Sequence, residues 1–214
     1  MGAKTWMLVY CNESVSEALR TNPELDRVAT VEFVKKLFPS ETLKPLSDVD
    51  LSYTCPPDDE LIVGCFSGLN IIAAKEFAID YPSKLSAQFL DPALGNTLYL
   101  HAMHSTVDWF AYAIWRDGKL QRSLSLSPDS GVLEDIGTKL TFEEPYWNGQ
   151  HPAIDPEEDD SAYPFVFHPL ELAESALLEF FGYQLEGVID SSQIEPERIP
   201  LMRFKRSRPW WKLW

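Results

Sequence analysis

The stretch Val107–Leu126, VDWFAYAIWRDGKLQRSLSL, restricts the fold more than any other part of the chain. Two strand-like runs flank Asp117-Gly118, a dipeptide that tolerates the positive φ angles of a type I′ turn. The stretch therefore predicts a β-hairpin, and a two-residue loop sets the register by counting outward. Trp115 then faces Leu120, Ala113 faces Arg122, Ala111 faces Leu124 and Trp109 faces Leu126. The other face pairs Ile114 with Gln121, Tyr112 with Ser123, Phe110 with Ser125 and Asp108 with Ser127. The first strand is apolar on both faces, so it is expected in the middle of a sheet covered on both sides. In this register Arg122 is the single charge on its face, beside Trp109 and Trp115.

The remaining elements follow in chain order. Thr5–Tyr10 and Leu61–Phe66 are short, apolar and rich in β-branched and aromatic residues, the pattern of buried strands. Ser14, with Glu17 three residues on, predicts a capped helix through about Leu19. A second helix is expected over Thr30–Phe38, stopped by Pro39, with Val31, Val34, Leu37 and Phe38 on one face. Residues 39–60 suggest a long surface connection. Leu69–Ala74 leans to strand, and Pro82 opens a helix of about two turns to Leu90. Thr97–Met103 and Val132–Ile136 are further strand candidates. Residues 137–168 look loop-rich. Pro169 and Gly182 bracket a helix, as a first-turn proline and a C-terminal glycine do, and Tyr183–Ile189 suggests a last strand. Strands crowd the middle and helices lie toward both ends. That predicts an α+β fold with a mainly antiparallel sheet, a central hairpin over 107–126, and helices packed from both ends of the chain. A single domain over 1–201 and a basic, Trp-rich tail over 202–214 complete the expected organisation.

Composition narrows the class. The chain has 214 residues, 45% hydrophobic, which suffices for a core. No apolar run approaches the roughly 20 residues that span a bilayer. The start has the wrong length for a secretory signal, and Trp6 stands where myristoylation wants Ser or Thr. Three unpaired-looking cysteines, Cys11, Cys55 and Cys65, fit reduced thiols and a cytoplasmic location. The formal charge is -15. Residues 198–214 hold six basic side chains and no acid, so the other 197 residues carry 12 basic and 33 acidic side chains, a net of -21. Such a body repels nucleic acid and anionic membranes and attracts a basic protein.

Two constellations could carry chemistry. His101, His104 and Asp108 lie close enough in sequence to suggest a metal, with His151 and His168 as further ligands. On a strand, residues three apart face opposite ways, so a joint site requires a turn near Ser105. Structural histidines at a strand end are the simpler expectation, and no metal or cofactor is assigned. Arg122 has Glu134, Glu143 and Glu144 downstream. It either closes a buried ion pair or recognises an anion. The candidate ligand or partner site is then His101, His104, Asp108 and Arg122, covered by a loop bearing Trp147 and His151. Cys65 and Ser67 in GCFSG do not fit a nucleophile elbow, and no base for either is evident. No Walker A, Rossmann, HExxH or CxxC pattern is present.

Several segments together resemble the bacterial proteins grouped as domain-of-unknown-function family 6928. They are MGAKTWMLVY, GCFSGLNI, LHAMHSTVDWFAYAIW with RDGKLQRSLSLSPDSGVLEDIG, FEEPYWNGQHP and YPFVFHPLELAESALLEFFGYQLEG. The resemblance runs to about residue 187 and implies no catalytic residues. The hairpin style and acidity bear a looser likeness to toxin-immunity proteins. The expected function is a non-enzymatic interaction or immunity-like protein with a basic partner. One alternative is an enzyme using a metal or small anion at the hairpin end. Another is a membrane contact through the tail alone, where Trp and basic residues suit an interface. Docking of the tail on its own body or on a second copy is a further expectation, which would make a homo-oligomer.

Overall fold

The computed structural model describes all residues except 1, 154–162, 188–189 and 208–214. It is built on one ten-stranded sheet whose named strand pairs are all antiparallel. The strands are β1 (Lys4–Cys11), β2 (Thr42–Pro45), β3 (Val49–Asp50), β4 (Glu60–Phe66), β5 (Leu69–Ala73), β6 (Thr97–His104), β7 (Trp109–Arg116), β8 (Lys119–Ser127), β9 (Gly131–Ile136) and β10 (Pro200–Ser207). Their order is β2-β10-β4-β5-β1-β6-β7-β8-β9, with β3 paired to β10. The fold is α+β, as the strand clustering predicts.

Strands β1, β4 and β7 are apolar on both faces because both faces are covered. Met7, Val9, Ile71, Phe110, Tyr112 and Leu124 point to one layer, with helices α1 (Val15–Arg20) and α4 (Pro169–Phe181). Trp6, Leu8, Tyr10, Val63, Leu100 and Trp115 point to the other, with α2 (Arg27–Leu37) and several single 3-10 turns. In α4, Leu172, Ala173, Ala176, Leu177 and Phe180 form the buried stripe expected from their spacing. His168 caps its N-terminus, accepting from the Leu170 N–H at 3.2 Å, and Gly182 ends it at φ 80°. Ser14 caps α1 through the Glu17 N–H.

Four expectations need correction. The hairpin turns at Asp117-Gly118, and Trp115 faces Leu120 as counted. Beyond that, a β-bulge leaves Gln121 without a partner, so Ile114 faces Arg122 and Tyr112 faces Leu124. The extra residue reverses every later side chain. Arg122 therefore points to the layer of Tyr112, away from Trp115. Gly137 makes room for the bulge: a Cβ there would lie 2.1 Å from the Gln121 carbonyl oxygen. Second, α2 starts at Arg27. Asp26 caps it by accepting from the Ala29 N–H at 2.9 Å. Thr30 lies inside the helix, and its hydroxyl accepts from the Cys65 N–H at 3.0 Å, tying α2 to β4. Third, residues 82–90 form two separate 3-10 turns, Pro82–Lys84 and Ala87–Phe89, broken by extended ψ angles at Leu85 and Ser86.

Fourth, residues 183–187 form no strand. The last strand is β10, so the boundary expected at 201/202 falls inside the sheet. Met202, Phe204 and Arg206 alternate inward on β10. Arg206, 4% exposed, is neutralised by Glu41 at 2.5 Å and Glu76 at 2.7 Å. Arg203 meets Glu60 at 2.9 Å, and Lys205 meets Asp59 at 2.5 Å. The connection over 39–60 also holds β2 and β3, and the 137–168 region holds the short helix α3 (Glu144–Trp147). The acidic run 155–160 and the tail tryptophans Trp210, Trp211 and Trp214 lie outside the described residues, and with them the expected contacts of the tail.

Candidate functional site

The six candidate residues from the hairpin end do not converge. Arg122 is 1% exposed and closes on the protein itself. Its Nε and Nη2 donate to the two Glu143 oxygens at 2.9 and 2.6 Å. Its Nη1 donates to Asp135 and, at 3.0 Å, to the Ile136 carbonyl. Glu143 also accepts from the Tyr112 hydroxyl, the Leu140 N–H at 2.9 Å and the Trp147 Nε1–H at 3.4 Å. Burial pushes the Glu143 carboxyl up. The Arg122, Leu140 and Tyr112 hydrogen bonds outweigh it and hold the group below the usual carboxylate range. A fork this engaged joins β8 to the 140–147 segment and turns the Arg122 charge onto the protein's own carboxylates.

His101 is fully buried under α4. Its Nε2 lies 3.0 Å from the Ala173 carbonyl and its Nδ1 lies 3.3 Å from the Thr5 hydroxyl. Burial lowers its pKa to about 4, so it is neutral at ordinary pH. His104 lies on the other face of the sheet, stacked on Trp6 with ring centroids 5.9 Å apart. A turn does form over 105–108, and there Asp108 accepts from the Tyr163 hydroxyl at 2.9 Å. His151 stacks on Tyr146 at 4.4 Å. Among the described residues no three His, Cys, Asp or Glu side chains are placed to hold a metal ion.

The space in the molecule lies elsewhere. A groove of about 1160 Å³ opens at the end of the sheet where β1 begins and β5 ends. Three local contacts build it. The Trp6 N–H donates to the Thr54 carbonyl at 3.0 Å, and the Trp6 indole N–H donates to the Pro56 carbonyl at 3.2 Å. These pin the 54–56 segment as a wall. The Ala74 N–H donates to the Trp6 carbonyl at 3.2 Å, which sets Lys75 beside it. Lys75 Nζ then lies 4.2 Å from the centre of the Trp6 ring.

Lys4 shares the Trp6 face of β1 by two-residue alternation and lines the groove with Lys75 and Cys55. Among the described residues neither lysine makes an ion pair. Both are close enough to matter electrically. Burial lowers the His104 pKa, and the Lys4 and Lys75 charges lower it further. Burial raises the Cys55 thiol, and the same two lysines oppose that rise. The far side of the groove is made by residues 184–186, just after α4, and 190–197, ahead of β10. Glu174 of α4 anchors that side, accepting from the Leu185 N–H at 2.8 Å. Sequence reasoning did not single out Lys4, Trp6, Cys55 or Lys75. Each looks ordinary in its own segment, and the pairing of β1 with β5 and with the 54–56 segment brings them together.

No curated protein and no solved structure matches the chain. A family model does match, over residues 5–204, which is nearly the whole sheet from β1 into β10. By that match the chain belongs to DUF6928, a family of unknown function.

Proposed function

We propose that this protein is a non-enzymatic binding protein whose groove receives a ligand with an apolar body and an anionic group held between Lys4 and Lys75. The observation that carries this is a pair of lysines that make no ion pair among the described residues, both lining one groove of a chain with a charge of -15. Cations left without carboxylate partners in so acidic a chain leave their charge available to a ligand. The binding reading, rather than a catalytic one, is supported by Arg122, His101 and Asp108, each engaged by a structural neighbour. The probe that tests it is 8-anilinonaphthalene-1-sulfonate, an apolar anion that fluoresces on leaving water. It should bind the native protein saturably. Lys4→Gln and Lys75→Gln should each weaken it about five- to tenfold, as expected for loss of one partly solvated charge contact of about 1–1.4 kcal/mol. Unchanged affinity in both variants refutes the reading.

A second reading, an acidic surface that meets a basic protein, is favoured by the fate of the basic strand. Arg203, Lys205 and Arg206 are all paired to acids within the sheet and its border, so the surplus of acid elsewhere stays unmatched. Association with such a partner would weaken steeply with salt. Capture that is the same at low and high salt would remove this reading.

A further inference from the structure

The groove bends around the end of β1, and its two sides differ in charge. Lys4 and Lys75 stand on the Trp6 side, with Asp58 in the neighbouring segment. The opposite side presents Glu186, Asp190, Glu195 and Glu197. Three of these are already engaged. Glu186 accepts from the Ala3 N–H at 2.8 Å, Asp190 accepts from the Ser192 N–H at 2.6 Å, and Glu195 pairs with Arg198 at 2.7 Å. Glu197 makes no ion pair among the described residues. Leu185 and Ile194 on the far side, and Pro56 on the Trp6 side, supply apolar contact.

Two magnitudes select the ligand class. The groove's volume of about 1160 Å³ leaves room for a ligand longer than a single anionic group. A molecule long enough to reach both sides uses it. The net charge of -15 also repels a simple anion at long range, whereas a neutral zwitterion approaches without that penalty.

We propose that the groove takes a short extended peptide with free termini. Its carboxylate lies between Lys4 and Lys75, and its α-ammonium lies at Glu197. One apolar side chain packs on Leu185 and Ile194. This rests on the groove reading above and adds the occupant and its direction.

The experiment uses the full chain and the tripeptide Ala-Phe-Ala in four forms: free, N-acetylated, C-amidated and capped at both ends. Calorimetry should give the free form at least tenfold tighter binding than either singly capped form. Lys75→Gln should bring the free-to-amidated ratio toward one and leave the free-to-acetylated ratio in place. Glu197→Gln should do the reverse. This crossed pattern cannot arise from a general loss of folding, which would lower both ratios together or neither. All four forms binding within twofold of one another, or both variants changing both ratios alike, overturns the proposal. If no form binds while the sulfonate probe still responds to the lysine substitutions, the peptide assignment falls and the groove reading stands. If the probe does not bind either, both fall.

Discussion

Replacing Glu174 by glutamine should tilt the pH dependence of stability, because it removes one of two buried groups whose titrations act with opposite sign. His101, fully buried, has its pKa lowered from 6.5 to about 4 by burial. As pH falls through 6.5 the unfolded chain takes up a proton that the native chain refuses until about 4. Stability present above 6.5 is therefore lost across that window, at about 1.4 kcal/mol per pH unit and about 3 kcal/mol in all. Glu174, 8% exposed, has its pKa raised from 4.5 to about 7, by burial first and then by the nearby Glu186 charge. The hydrogen bonds from the Leu185 and Glu186 N–H groups oppose that rise. Its folded value lies above its unfolded one, so stability present below 4.5 is lost as pH rises to about 7. The size is similar, reduced to about 2 kcal/mol for the solvent that reaches the groove side. Between 4.5 and 6.5 the two slopes oppose and nearly cancel. Glu174→Gln keeps an oxygen to accept from the Leu185 N–H and removes the titration. Measured by urea unfolding, the stability of E174Q minus that of the wild type should grow by about 2 kcal/mol from pH 4.5 to pH 7. Taking the difference removes every carboxylate the two proteins share. Parallel curves, separated by a constant amount over that range, would refute the assignment of a raised pKa to Glu174.

Other consequences can be measured directly. Removing one side of the buried fork, by Arg122→Met or Glu143→Leu, should cost about 3–5 kcal/mol of stability. The double variant should cost clearly less than the sum, because the uncompensated charge is gone; strict additivity would mean the pair is not coupled. Gly137→Ala should cost at least about 2 kcal/mol, since its Cβ would meet the Gln121 carbonyl and its φ is 86°. A thermal midpoint within 2 °C of wild type, less than the shift of roughly 2–4 °C per kcal/mol expected at this size, would contradict the bulge geometry. Among the three thiols, Cys55 should react first with a disulfide reagent under native conditions. Cys11 and Cys65 are buried, and burial pushes their pKa values up to about 11, so they should wait for unfolding. Equal rates for all three would contradict this order.

The fold was legible where the signal was local. Short runs of apolar, β-branched and aromatic residues marked β1, β4 and β6, and Pro169 with Gly182 bracketed α4 to the residue. The hairpin turn was legible from Asp117-Gly118, but the bulge at Gln121 was not. Gly137, just past the end of β9, leaves the room it needs, and nothing in the hairpin's own sequence signals that. β10 was hidden by its charge. Arg203, Lys205 and Arg206 make it resemble a tail until Glu41, Glu60 and Glu76 arrive from distant segments to neutralise it. The ion-pair alternative for Arg122 could be read from the acids downstream of it, whereas the groove could not be read at all. It is assembled from the ends of separate strands and two connecting segments, and such gaps depend on topology rather than on any one run of residues.

The position of β10 has a consequence for synthesis. Strand β4, ELIVGCF, is buried along its whole length, and one of its two edges is covered by β10. The ribosome makes β4 long before β10, so for most of translation that edge stands open, with both its faces apolar. An open edge of this kind is a template for pairing with another chain. Nascent chains that stall before residue 200 should accordingly need a holding chaperone, and completion of β10 marks the point at which the sheet becomes safe to release.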